Sequence, residues 1–264
     1  MLEERAFAIE IARAAGDLTL EYFGRPDLAV EQKEDQTPVT EADRGAEELL
    51  RRRISERYPD DGILGEEFGE HTGTSGRRWI LDPIDGTRSF ERGVPLYGNL
   101  IALETGGEVV LGVINMPALA EMVHAVAGSG SGAVWLTDVG RASERERPAR
   151  VSTQADPSNA LLSYTSSRGF ERAGETALFA RLRATFGPDR GWGDCYGHLL
   201  VATGRADVMV DPRLETWDSA ALKVCVEGAG GTFTDLSGRA THLGGSGFST
   251  NGLLFAAARS AIRG

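Results

Sequence analysis

Apolar positions recur every three or four residues at the start of the chain, through Phe7, Ile11, Ala14, Ala15, Leu18 and Tyr22, and this period predicts an amphipathic helix over 2–23. Gly24 and Pro26 mark its end. After a polar loop, Thr37-Pro38-Val39-Thr40 leads into a second helical stretch over 41–58, with Ala46, Leu49, Leu50 and Ile54 as its apolar stripe. Thr40 followed three residues later by Asp43 has the form of a capping box. Pro59-Asp60-Asp61-Gly62 then turns the chain into a short strand, Ile63-Leu64, that ends at Gly65-Glu66-Glu67.

From residue 77 to about 136 the pattern becomes that of strands, over 78–81, 96–104, 109–115, 121–127 and 132–136, with turns at Gly106-Gly107 and Asn115-Met116-Pro117. Short strands in succession after two helices predict an antiparallel sheet. Beyond residue 160 the elements alternate: strand 161–164, helix 175–186, helix 196–202, strand 206–210, helix 217–227, then strands 231–235 and 253–257. The prediction is an α/β half, 146–264, packed on an α+β half, 1–145, as one compact unit. The charged run 141–150 reads as a solvated connection between the halves.

The densest chemical signal is Trp79-Ile80-Leu81-Asp82-Pro83-Ile84-Asp85-Gly86-Thr87-Arg88-Ser89-Phe90. A strand is not expected to continue through Pro83, which lacks a donor, and Gly86 suits a bend, so the acids should fall at the strand's end. Hard divalent cations such as Mg²⁺ take oxygen ligands, which Asp82, Asp85 and a freed Ile84 carbonyl could supply within one turn. Taken alone, Asp85-Gly86 would also suit a surface turn.

The 264 residues carry a formal net charge of −11, which argues against holding nucleic acid by broad phosphate neutralisation. An acidic pocket can still receive a phosphate through a bound cation. No apolar run is long enough to span a bilayer and Met1-Leu2-Glu3-Glu4-Arg5 lacks signal-peptide character, so the expectation is a cytoplasmic protein with no membrane contact. Cys195 and Cys225, without metal-type spacing, are expected to be buried, reduced thiols.

Further acids lie in three other segments. Glu66 follows a strand that could neighbour the one ending at Asp82. Asp218, in Thr216-Trp217-Asp218-Ser219, falls in the first turn of a helix, where it also complements the dipole. Asp43 belongs to the capping box. Together with the opening motif these segments resemble the inositol monophosphatase family of Mg²⁺-dependent phosphomonoesterases, whose Gly-Glu-Glu, Asp-Pro-Ile-Asp-Gly-Thr and Trp-Asp signatures appear here in order. The similarity runs from the Thr-Glu-Ala-Asp segment at residue 40 to Asn251-Gly252.

The resemblance implies a layered α-β-α-β-α sandwich of the inositol monophosphatase and fructose-1,6-bisphosphatase type, a homodimer, lithium inhibition, and two or three Mg²⁺ ions. It would place one ion on Glu66, Asp82 and the Ile84 carbonyl, and a second on Asp82, Asp85 and Asp218. It gives Thr87 and Asp43 the task of activating water, and Gly86 and Thr87 that of opening a helix whose N–H groups cradle the phosphate. Gly193-Asp194-Cys195-Tyr196-Gly197 and Arg92-Gly93-Val94-Pro95 further resemble the histidinol-phosphate phosphatase branch.

That branch implies L-histidinol phosphate as substrate and a place in histidine biosynthesis. The alternatives are inositol 1-phosphate or another small ester, and, in a different class, a regulatory binding protein that retains the fold. Asp194 and Asp211 could face a substrate ammonium or imidazolium, although Asp194 could instead cap the helix after it. Arg190 could reach phosphate or pair at the surface. His198 reads as a packed or solvated side chain, and His71, His124 and His242 have no acidic or nucleophilic partner nearby in sequence.

Overall fold

The structure is a computed structural model that describes residues 1–32, 38–130 and 132–264; residues 33–37, the end of the predicted polar loop including Thr37, lie outside the described residues. Helix α1 (Leu2–Tyr22) leads through a two-stranded ribbon, β1 (Val30–Gln32) and β2 (Pro38–Thr40), into helix α2 (Glu41–Arg57). Next come β3 (Gly62–Gly65), β4 (Gly69–His71), β5 (Arg77–Asp85), the short helix α3 (Thr87–Phe90), β6 (Gly98–Thr105), β7 (Glu108–Met116), β8 (Glu121–Val126), β9 (Val134–Thr137) and β10 (Arg145–Pro148). The rest comprises β11 (Leu162–Tyr164), α4 (Ser167–Arg172), α5 (Thr176–Thr185), β12 (Asp189–Arg190), α6 (Cys195–Ala202), β13 (Val208–Asp211), α7 (Thr216–Gly228), β14 (Thr232–Thr234), β15 (Gly247–Thr250) and α8 (Phe255–Arg263).

Two sheets organise these elements. The eight-stranded sheet has the order β10-β9-β8-β7-β6-β5-β3-β4 and the five-stranded sheet the order β12-β11-β13-β15-β14. Because successive side chains on a strand point to opposite faces, each central strand serves two cores. Trp79, Leu81, Ile101, Leu103 and Val113 pack on one side against Ala8, Ile11, Leu50 and Ile54 of α1 and α2. Ile80, Leu100, Ala102 and Ile114 pack on the other against α6 and α7, which also touch the second sheet through Met209 and Phe233. Its far face is covered by Phe170, Leu178, Leu182 and Ala258 from α4, α5 and α8. The layers are therefore α-β-α-β-α, as the resemblance implies.

The sequence-based expectation fails at four places. Strand β5 does continue through Pro83 to Asp85, because a register shift between Asp82 and Asp85 removes the need for a Pro83 donor. The first sheet is mixed, since β3 runs parallel to β5. The charged run is no simple connection: Arg145–Pro148 pairs antiparallel with β9 as an exposed edge strand. Residues 253–257 form no strand; Leu254, Ala258 and Ala261 are buried at helical spacing, and α8 begins at Phe255. Both cysteines are free and buried as expected, and no helix of the described residues is long and apolar enough to cross a membrane.

Helix α7 lies almost on the backbone of β7, which is possible because Gly112 has no side chain; a Cβ there would sit 2.6 Å from the Ala221 carbonyl oxygen. Gly112→Val should destabilise by roughly 1–3 kcal/mol through overpacking, or several degrees in Tm at about 2–4 °C per kcal/mol. Gly45→Ala in α2, whose added carbon would find its nearest neighbour at 3.7 Å, should instead be neutral or stabilising by up to about 1 kcal/mol. Thermal melts of the two variants check both signs.

Candidate active site

The register of β5 against β6 creates the site. Asp82 lies opposite Leu100 and Asp85 opposite Gly98, so Pro83 and Ile84 together face the single residue Asn99. Residues three apart on a regular strand point to opposite faces; the extra residue turns Asp85 to the side of Asp82. Gly86 then bends the chain at φ 87°, where a Cβ would stand 2.9 Å from the Leu96 carbonyl oxygen, and this position therefore calls for glycine.

Other elements bring the remaining acids to this turn. Asp218 sits in the first turn of α7, where its Oδ2 accepts from the Glu215 N–H at 2.8 Å in a capping box. Glu66 follows β3, and its N–H donates to the Leu81 carbonyl at 3.3 Å. Buried Glu47 of α2 fixes the next two residues by accepting from the Glu67 and Phe68 N–H groups at 2.7 and 3.2 Å. Gly65 permits this approach, since a Cβ there would collide with the Glu47 carboxylate.

One oxygen each from Asp82, Asp85 and Asp218 lies within 4.8 Å of the others. Asp82 is buried and its Oδ1 has no hydrogen-bond partner. Burial holds its carboxyl well above the usual range, and the charges of Glu66, Asp85 and Asp218 raise it further. Burial also raises Asp85 well above its ordinary value, with Asp194 and Asp218 adding to the effect, and pushes Asp218 up to about 7. An orphaned buried oxygen among repelling carboxylates and the Ile84 carbonyl is a donor set for a hard divalent cation, so these residues fit the ion that the resemblance implies.

Asp43 is buried and serves two partners. Its Oδ2 accepts from the Thr40 N–H at 2.8 Å and the Thr40 hydroxyl at 2.5 Å, while its Oδ1 stands 3.4 Å from the Thr87 hydroxyl. The capping carboxylate thus also reaches Thr87. The Thr87 hydroxyl also lies 3.1 Å from the Ile84 carbonyl oxygen. Glu66, Asp82, Ile84, Asp85, Gly86, Thr87 and Asp218 all line one cavity of about 340 Å³.

A second cavity of about 250 Å³ adjoins the first, sharing Asp85, Asp194 and Asp218, and extends to Asp211. The two are joined at α6, whose first N–H, that of Cys195, donates to Asp85 Oδ2 at 2.5 Å. Asp194 precedes α6 without a side-chain capping bond, and its φ of 51° and ψ of −151° are values normally left to glycine. Burial and the neighbouring Asp211 push its carboxyl up to about 7. Thr165, which the sequence did not single out, links the pair: its hydroxyl accepts from the Asp194 N–H at 2.9 Å and its own N–H donates to Asp211 Oδ1 at 3.3 Å. His198 is packed, between Ser249 Oγ at 2.7 Å and Asp211 Oδ2 at 3.2 Å.

Arg190 is not brought to either cavity. It is exposed on β12, with its guanidinium donating to the Asp189 carbonyl at 2.7 Å, because a two-residue edge strand points it outward. Arg88, also missed, lines the first cavity directly after the Gly-Thr turn. His242 does have an acidic partner, Glu104 Oε2 at 3.0 Å, although 138 residues separate them.

The sequence model of the inositol monophosphatase family matches residues 1–262. The histidinol-phosphatase of Chlorobaculum parvum is 49% identical over 94% of this chain and 91% of its own. That of Mycobacterium tuberculosis is 41% identical over 96% and 95%. The solved inositol monophosphatase of Zymomonas mobilis superposes with a TM-score of 0.83 at 34% identity, covering 99% of this chain and 98% of its own. The chain belongs to the inositol monophosphatase family, which is metal-dependent.

A testable consequence follows from the carboxylate shifts. Asp82, Asp85, Asp194 and Asp218 are raised above the ordinary value of 3.8, so over that window the folded state binds more protons than the unfolded one, and these groups make the cation-free protein less stable as pH rises through about 7. A divalent cation offsets the repulsion, so the rise in Tm on adding Mg²⁺ should be larger at pH 8 than at pH 6. A rise of equal size at both, or none, argues against a cation in this cluster.

Proposed function

We propose that this member of the family is a Mg²⁺-dependent phosphomonoesterase that hydrolyses L-histidinol phosphate to L-histidinol and inorganic phosphate. One observation carries the reading: the two adjoining cavities end in different acids, the crowded Asp82–Asp85–Asp218 cluster and the Asp194–Asp211 pair. Neither Asp194 nor Asp211 forms an ion pair with an Arg or Lys among the described residues, although Arg88 lies near enough to act on Asp194. A phosphate bound through divalent cations at the first end and an organic cation at the second would complete both. The names of the relatives at 49% and 41% identity support the same ester.

In this reading Glu66, Asp82, Asp85, Asp218 and the Ile84 carbonyl would hold the cations. Bound there, Mg²⁺ neutralises the carboxylates, polarises the phosphoryl group and makes the attacking water more acidic. Asp43 accepts the Thr87 hydroxyl hydrogen, which leaves the Thr87 oxygen lone pairs to receive a hydrogen from that water and aim it at phosphorus. The backbone at Gly86 and Thr87 faces the phosphate oxygens. Asp194 and Asp211 orient the amino and imidazole end of the ester. No side chain is required as a covalent nucleophile. Two or three Mg²⁺ ions, a homodimer and a cytoplasmic setting belong to the same reading.

Steady-state kinetics test it. The kcat/KM for L-histidinol phosphate should exceed that for myo-inositol 1-phosphate at least tenfold, equivalent to about 1.4 kcal/mol; a preference for inositol 1-phosphate would transfer the assignment to that ester. Asp194→Asn and Asp211→Asn should each raise KM for L-histidinol phosphate by about 10–100-fold, within the roughly 4 kcal/mol of a charge pair near 4 Å. Both should leave hydrolysis of glycerol 2-phosphate, whose alcohol portion carries no charge, within about threefold of wild type.

A further inference from the structure

A file of buried amides runs under the bulge. Asn99 Nδ2 donates to the Pro83 carbonyl at 2.6 Å, Asn115 Nδ2 donates to Asn99 Oδ1 at 2.9 Å, and the same nitrogen donates to the Ala12 carbonyl of α1 at 2.9 Å. Asn99 and Asn115 are 0% and 2% exposed and lie directly opposite each other on β6 and β7. The direction of every bond is fixed by the ends. The Pro83 and Ala12 carbonyls can only accept, so each asparagine must present its amide nitrogen to a carbonyl, which leaves Asn99 Oδ1 to receive Asn115. Helix α1 makes room for the file at Gly16, where a Cβ would lie 2.6 Å from Asn115 Nδ2 and 3.3 Å from Asn99 Oδ1.

Packing alone does not call for amides here. Their strands otherwise fill this region with Leu100, Ile101, Val113 and Ile114, and two buried polar side chains are costly unless fully paired. What they satisfy is the Pro83 carbonyl, which the bulge takes out of the β5–β6 ladder. The Pro83 carbonyl lies in the Pro83–Ile84 peptide plane, so the Asn99 bond fixes the tilt of the peptide that follows Asp82 and leads into Ile84. That plane determines where the Asp82 carboxylate, the Ile84 oxygen and, through the bulge, Asp85 point.

We infer that Asn99, held in register by Asn115, is a positioning residue for the hydrolysis: it fixes the Pro83–Ile84 peptide so that Asp82, the Ile84 carbonyl and Asp85 converge on the cation. It touches neither the ester nor the ion. This rests on the reading above that the bulge holds the cation, and the experiment separates the two.

The test is titration of Mg²⁺ into wild type and Asn99→Leu by calorimetry, with kcat and KM for L-histidinol phosphate measured at each protein's saturating Mg²⁺. Leu103→Ala, a buried change on the same strand facing α1 and α2, serves as the control for lost stability. Asn99→Leu should weaken Mg²⁺ binding by about 10–100-fold, as removal of an outer partner of a metal ligand typically does. It should lower kcat while leaving KM within about threefold. Leu103→Ala should lower Tm and leave Mg²⁺ affinity and kcat at wild-type values.

Wild-type Mg²⁺ affinity and kcat in folded Asn99→Leu would overturn the positioning role and leave the reading of the site intact. A wild-type protein that binds no Mg²⁺ would overturn both. If Asn99→Leu does not fold, Asn115→Ala, which keeps Asn99 and frees its Oδ1, should weaken Mg²⁺ binding several-fold; unchanged affinity there overturns the inference equally.

Discussion

The constraint on which the structure turns is the repulsion among carboxylates that the fold forces together. Asp82 is buried with one oxygen unpaired, beside Glu66, Asp85 and Asp218. At low dielectric such a group is costly whether ionised or protonated. A chain selected for stability alone would relieve it with an arginine, yet no Arg or Lys among the described residues is paired with Asp82, Asp85 or Asp218. Hydrogen bonds hold its members from outside instead: Cys195 N–H on Asp85, Glu215 N–H on Asp218, and Glu47 on the segment that carries Glu66. The mutual repulsion of these carboxylates is what a bound divalent cation would relieve, so the unfavourable electrostatics of the cluster and its fit to a cation are one property.

Rigid elements deliver each acid separately. The β5 bulge supplies Asp82 and Asp85, α7 supplies Asp218, and the end of β3 supplies Glu66. Their relative placement depends on close backbone approaches that glycine permits: Gly112 under α7 and Gly65 against Glu47. Helices α1 and α2 do more than cover the sheet. Through the asparagines α1 reaches Pro83, and through Asp43 and Glu47 α2 reaches Thr87 and the Glu66 segment. The layer most remote from the second sheet thus participates in shaping the Asp82–Thr87 turn.

How far the sequence reveals this depends on the range over which each signal acts. The helices α1 and α2, the capping box at Thr40 and the acids of the turn are legible because their patterns are contiguous. The edge strand at Arg145–Pro148 is not, since its four residues are all exposed and only pairing with β9 makes them a strand. The apolar run before α8 is too short for its period to separate helix from strand. Asn99, Asn115, Glu47 and Thr165 resemble surface residues in the sequence, because what makes each one useful is a partner 16 to 103 residues away. For the same reason the sequence shows Asp43 as a cap without showing that its second oxygen reaches Thr87, 44 residues away.

The two ends of the cavity also differ in what can vary. Asp82 and Asp85 of the acid cluster are built on the eight-stranded sheet, where a shift of one residue would reverse the face of every side chain and scatter them. Asp211 instead comes from the five-stranded sheet, steadied by His198, Ser249 and the Thr165 N–H, and none of these touches Asp82 or Asp218. The ends meet at the start of α6, where Asp194 and the Cys195 N–H are consecutive, the first facing Asp211 and the second bonded to Asp85. A substitution at Asp211 would therefore alter the second cavity without displacing Asp82 or Asp218. A change of backbone at Asp194 cannot, because its unusual φ and the hydrogen bond on Asp85 are set by the same peptide.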